Sequence, residues 1–227
     1  MDKKQAAASQ LIERLAQQER KEKIERYKRL NQMARKGQIL FCGSSLMEQF
    51  PIHELLVDAG QPLHVYNRGV GGYTTTELAQ MLDTLVFDLE PAHIFINIGT
   101  NDMNEKDFEL DELMGRYDGI LTEIRQTLPE AKLYVMAYYP CSQKVLKADM
   151  MRWMHFRHRT NERIAEANEA LQKLAERHGA RYLDLNRGLV DEDGDLRAEY
   201  TSDGIHMYGN GYMKVLEELL PVLKGLE

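Results

Sequence analysis

Disulfide chemistry has almost no material here: 227 residues include two cysteines, Cys42 and Cys141, too few for the cross-linked frameworks of small exported domains. Cys42, closing an apolar run, is expected to pack as a small apolar residue. No stretch of about 18 apolar residues could span a bilayer, and the N-terminus has no apolar signal-peptide core, so neither membrane insertion nor Sec export is indicated. The cytoplasm is the default location on those grounds. His53, His64, His93, His155, His158 and His178 show no metal-ligand spacing and read as structural or surface residues. The Gly-x-Ser-x-Gly elbow of α/β-hydrolases is absent, because Met47 stands where its second glycine would be.

Glycine and proline are also missing from residues 5–35, a stretch rich in Ala, Gln, Glu, Lys, Arg and Leu that predicts a long helix. Its apolar residues fall into two groups, Leu11, Ile12 and Leu15, then Ile24, Tyr27, Leu30 and Met33, separated by a charged stretch. Either its second half packs on the body while its first half reaches a partner subunit, giving a homodimer, or its leading turns are a solvated extension. Residues 1–37 carry eleven Lys or Arg against five Asp or Glu, net +6; the whole chain is −7, so the remainder is −13. An acidic body and a helix evenly mixed with acids argue against nucleic-acid binding. The expected division is a helical extension, 1–36, and one domain, 37–227.

What the body does contain is alternation. Short apolar runs at 38–42, 63–66, 93–98, 132–137 and 181–184 read as strands, and helices are expected within 46–58, 74–87, 110–127, 157–178 and 209–224. Five such strands interleaved with helices require a parallel sheet covered on both faces. Thr74 reads as a helix cap.

Chemistry-bearing residues cluster just past the strands, where ligands bind in open α/β sheets. Ser45 follows the first run within Gly43-Ser44-Ser45-Leu46; Gly71-Gly72 follows the second; Gly99-Thr100-Asn101-Asp102 follows the third; Asp203-Gly204-Ile205-His206 lies near the C-terminus. An imidazole oriented by a carboxylate can activate a serine hydroxyl. A glycine N–H and an asparagine amide can hold a developing oxyanion. Each motif alone has a structural reading too: a turn, a helix cap, a satisfied loop.

Together, the four blocks resemble those of the SGNH, or GDSL-type, esterase and acylhydrolase family, in order and spacing, from about Gly37 to Lys224. The resemblance implies a three-layer α/β/α sandwich with a flavodoxin-like sheet and no metal or organic cofactor. It implies Ser45 as nucleophile, His206 as base, Asp203 as orienting carboxylate, and Ser45 N–H, Gly72 N–H and Asn101 as the oxyanion hole. Ser44 departs from the aspartate usual before the nucleophile and is expected to substitute for it in local hydrogen bonding. The activity implied is a serine esterase on small or lipid-like acyl esters, carbohydrate O-deacetylation included; the alternative is a non-catalytic ligand-binding or scaffold protein of the same fold. Tyr73, Met103, Tyr138, Met207 and Tyr208, beside the motifs, are expected to line the substrate pocket. The 141–156 segment, with Met150, Met151, Trp153 and Met154, suits either a site mouth or a subunit contact.

Overall fold

A computed structural model describes residues 3–226, with side chains from Gln10 onward; residues 1, 2 and 227 of the expected division lie outside the described residues. Along the chain run α1 (Lys3–Asn31), β1 (Ile39–Gly43), α2 (Ser45–Glu48), α3 (Ile52–Asp58), β2 (Val65–Gly69), α4 (Thr75–Ala79), α5 (Leu82–Leu85), β3 (His93–Asn97), α6 (Leu110–Thr127), β4 (Lys132–Met136), α7 (Gln143–Lys147), α8 (Met150–Phe156), α9 (Asn161–Arg177), β5 (Arg181–Leu183) and α10 (Gly209–Lys224). The five strands pair in parallel in the order β2-β1-β3-β4-β5. This is a doubly wound sheet whose strand order reverses beside β1, and such reversals open a crevice at the carboxyl edge.

Successive strand residues feed opposite layers, as the two-residue period of a strand requires. Leu40, Cys42, Ile94, Ile96, Leu133 and Val135 join the core beneath α4, α5, α6 and α9. Ile39, Phe41, Phe95, Tyr134 and Met136 join the core beneath α2, α3 and α10. There Phe95 stacks between Phe41 and Tyr134, with ring centroids 4.8 and 4.3 Å apart. Cys42 is buried as expected, and burial pushes its thiol pKa up to about 12.

Several expected boundaries move. The helix expected within 46–58 is two, because Pro51 lacks an N–H and opens α3. The stretch 74–87 breaks between α4 and α5. The helix expected over 157–178 starts at Asn161, where Thr160 Oγ1 accepts from Arg163 N–H; Met150–Phe156 forms a separate helix capped by Asp149. Thr74 is a helix cap, with Glu77 completing a capping box.

The face that α1 buries is not the expected apolar stripe. Ile24 enters the core and Tyr27 packs against it, but Leu30 is half exposed and Met33 is 76% exposed. The polar Asn31 is buried instead, its Nδ2 donating to Thr84 O at 2.7 Å and its Oδ1 accepting from Arg68 Nε and Nη2 at 3.0 and 2.9 Å. Leu11, Ile12 and Leu15 remain 59%, 67% and 57% exposed.

Candidate active site

Strand order brings three motifs together. Ser45 follows β1, Gly71-Gly72 follows the neighbour β2, and Asn101 follows the other neighbour, β3. Gly43 makes the first turn feasible: its φ is +153°, and a Cβ there would sit 2.0 Å from Asn97 O, so only glycine lets the chain leave β1 so close to β3.

Ser45 Oγ lies 2.9 Å from His206 Nε2, and His206 Nδ1 lies 2.6 Å from Asp203 Oδ2. A carboxylate only accepts, so Nδ1 carries the proton and Nε2 is free to accept from the serine hydroxyl. Asp203 also builds the loop that holds it. Its Oδ1 accepts from Ile205 N–H at 2.9 Å and His206 N–H at 2.8 Å, while Thr201 Oγ1 accepts from Gly204 N–H at 2.9 Å. Partial burial alone would raise the Asp203 pKa, but the bonds from the His206 ring and the two N–H groups outweigh it and hold it well below the usual carboxylate range.

Ser44 points elsewhere. It is 1% exposed, and its Oγ has no hydrogen-bond partner among the described residues, so the expected stand-in for the aspartate's bonding does not form. Its backbone carbonyl accepts from Met47 and Glu48 N–H as α2 begins.

Of the groups expected to hold an oxyanion, Ser45 N–H and Gly72 N–H have no acceptor among the described residues. Asn101 precedes a 3-10 turn, Asp102–Asn104, without capping it through its side chain. Its Nδ2 donates instead to Tyr73 O at 2.9 Å, leaving one N–H over. Asp102, buried beneath, accepts from Thr75 N–H at 3.0 Å and ties this turn to the start of α4.

Sequence reasoning missed what supports the Gly69–Tyr73 loop. Arg20, Ile24 and Tyr27 of α1, spaced as one helical face with Lys23, pack against it, and Lys23 reaches it through Glu48. Tyr27 Oη donates to Gly69 O at 2.9 Å. Lys23 pairs with Glu48, whose other oxygen accepts from Gly71 N–H. Ile24 packs in the same core as Tyr73, and the Arg20 guanidinium lies against Gly72. Beside these residues is a cavity of about 330 Å³ between α1 and Gly71-Gly72. On the opposite flank, Arg152 Nη1 of α8 donates to Ser202 O at 2.8 Å, next to Asp203. The Trp153 ring of α8 packs on the core while Met150, Met151 and Met154 face solvent.

The expected pocket residues separate. Tyr73 and Met207 are buried but for an edge, and Tyr208 is half exposed. Met103 and Tyr138 are fully buried in the core under the site, so the expectation that they line the pocket is corrected. Tyr138 instead packs against Gly99, where no side chain would fit.

This sheet, with a serine hydroxyl, an imidazole and a carboxylate hydrogen-bonded in series at its carboxyl edge, has the form of a hydrolase. The chain belongs to the GDSL-like Lipase/Acylhydrolase family, whose profile matches residues 48–214. That match begins three residues after Ser45. Among curated relatives, the human platelet-activating factor acetylhydrolase IB subunit alpha2 is 26% identical over 183 residues, 80% of this chain and 73% of that one. A solved structure from Streptococcus pneumonia, provisionally described as a platelet activating factor, superposes with a TM-score of 0.86 at 29% identity, covering 96% of this chain and 99% of the other. The acetylxylan esterase of Geobacillus stearothermophilus shares the fold, with a TM-score of 0.63 at 17% identity over 85% of this chain and 96% of its own. No described helix is long and apolar enough to cross a membrane.

Proposed function

We propose that the protein is a serine ester hydrolase that works through an acyl-enzyme on small acyl esters, acetyl esters first among them. The observation carrying this reading is the 2.9 Å contact between Ser45 Oγ and His206 Nε2, continued at 2.6 Å to Asp203. His206 takes the hydroxyl proton as Ser45 Oγ bonds to the ester carbonyl carbon. The carbonyl oxygen becomes an oxyanion held by the N–H groups of Ser45 and Gly72 and by Asn101. His206 then protonates the departing alcohol, and water, deprotonated by the same imidazole, releases the acid and restores Ser45. Asp203 orients the ring and offsets its charge. The preference for acetyl is supported by the names of two relatives, an acetylhydrolase and an acetylxylan esterase.

A chain-length series of nitrophenyl esters and a set of acetylated sugars, with Ser45→Ala as control, tests the reading. Acetate esters should turn over fastest, and a serine-reactive phosphonate should label the protein once, at Ser45. Label on Ser44, or turnover that survives Ser45→Ala, overturns the nucleophile assignment.

A further inference from the structure

Arg159, in the turn between α8 and α9, is 2% exposed, yet no carboxylate lies within 4.0 Å of it among the described residues. Burying a charge without a direct ion pair is costly; the nearby Asp203 and Asp102 carboxylates favour the cation through space, and neutral partners hold its guanidinium in place. Nη2 donates to Asn101 Oδ1 at 2.8 Å, Nε donates to Asn104 Oδ1 at 3.0 Å, and the guanidinium carbon sits 5.1 Å from the centre of the Phe156 ring.

These bonds settle the orientation of the Asn101 amide. A guanidinium only donates and the Tyr73 carbonyl only accepts, so the amide oxygen must face Arg159 and the amide nitrogen must face Tyr73. One N–H remains for a ligand. A charge-assisted bond to the amide oxygen draws electron density from the nitrogen and makes that remaining N–H a stronger donor.

We propose that Arg159 is a positioning residue: from behind, it locks and polarises the Asn101 amide so that the free N–H is aimed and strengthened for the oxyanion. This rests on the hydrolase reading above. The buried cation thereby acts on the reacting centre without touching substrate, and Asn104 and Phe156 fix the guanidinium plane.

Arg159→Lys keeps a charge but loses the planar fork, and Arg159→Met loses both. Each should lower kcat about ten- to a hundredfold, less than loss of the donor itself, with KM little changed. In an Asn101→Ala background the same replacements should cost less than about threefold, because the residue through which they act is gone. Guanidinium ion at millimolar concentration should partly restore Arg159→Met and leave Asn101→Ala unmoved. If the losses multiply independently in the double variants, or appear in KM alone, the inference is overturned.

A second readout does not need turnover. The Asn101 side-chain NH2 pair in a nitrogen-15 spectrum, assigned by its disappearance in Asn101→Ala, should shift in Arg159→Lys while the protein stays folded; an unchanged pair also overturns the inference. Wild-type protein that neither cleaves esters nor takes a phosphonate would sink the hydrolase reading, and the amide shift would still decide whether Arg159 orients Asn101.

Discussion

Arg20 and Gly72 touch across the boundary between the N-terminal helix and the body: a Cβ placed on Gly72 would lie 3.0 Å from Arg20 Nη1. Gly72 also has a φ of +79°, the left-handed region that L side chains disfavour. Two effects therefore oppose a side chain here, and they are unequal. The guanidinium is the end of a flexible chain and can move aside, whereas the backbone cannot change without re-aiming its N–H. Gly72→Ala should destabilise by about 1–2 kcal/mol in a urea melt, from the backbone alone. Adding Arg20→Ala should recover little of it. Full recovery would show that the contact, not the backbone, was limiting.

Asn101→Ala should lower turnover by about two to three orders of magnitude, the usual result of deleting one oxyanion donor. It should also lower stability by about 1–3 kcal/mol, because Tyr73 O and the buried Arg159 each lose a partner. Turnover near the wild-type value in a folded variant would remove Asn101 from the site.

Asp203→Asn keeps an oxygen for the Ile205 and His206 N–H groups but presents the wrong partner to His206 Nδ1. Turnover should fall by about three to four orders of magnitude with the loop intact. Folding lowers the Asp203 pKa. Its contribution to stability is thus complete above the unfolded value of about 3.9 and fades as pH falls from there toward the lower folded value. The difference in Tm between wild type and variant should be flat from pH 8 to about pH 5 and shrink below about pH 4. A difference that grows on acidification would contradict this sign.

Two truncations separate the halves of α1. A chain beginning at Glu19 loses the exposed Leu11, Ile12 and Leu15 but keeps the face that meets the Gly69–Tyr73 loop. A chain beginning at Arg35 loses both. Light scattering should find a homodimer at full length and a monomer for the first truncation, with esterase activity retained. The second should lose activity and about 3–6 kcal/mol, the burial of Ile24 and Tyr27. Full activity and an unchanged Tm in the shorter chain would make the helix dispensable.

Ser45, Gly72 and Asn101 are legible in sequence because each sits in a short block just past a strand, and Asp203 and His206 because an acid and an imidazole stand three positions apart on one loop. Arg159 is not: it meets Asn101 from 58 residues away, and nothing in its neighbours distinguishes it from a surface arginine. Tyr138 and Met103 show the opposite failure. Standing beside a motif does not fix which way a side chain faces, and both turn into the core. On α1, apolar residues alone misplaced the buried face. The structure uses a mixed one, where Lys23, Tyr27 and Asn31 find polar partners that no periodicity of hydrophobic residues reveals.

The serine and the imidazole that bond at 2.9 Å are 161 positions apart in the chain. Contacts between distant segments form late, after much of the chain has lost its freedom. On the mechanism proposed above, a nascent or partly unfolded molecule holds Ser45 apart from the imidazole that would activate it. On that mechanism, competence awaits closure of the Asp203–His206 loop onto the end of the first strand, and phosphonate reactivity would double as a gauge of complete folding.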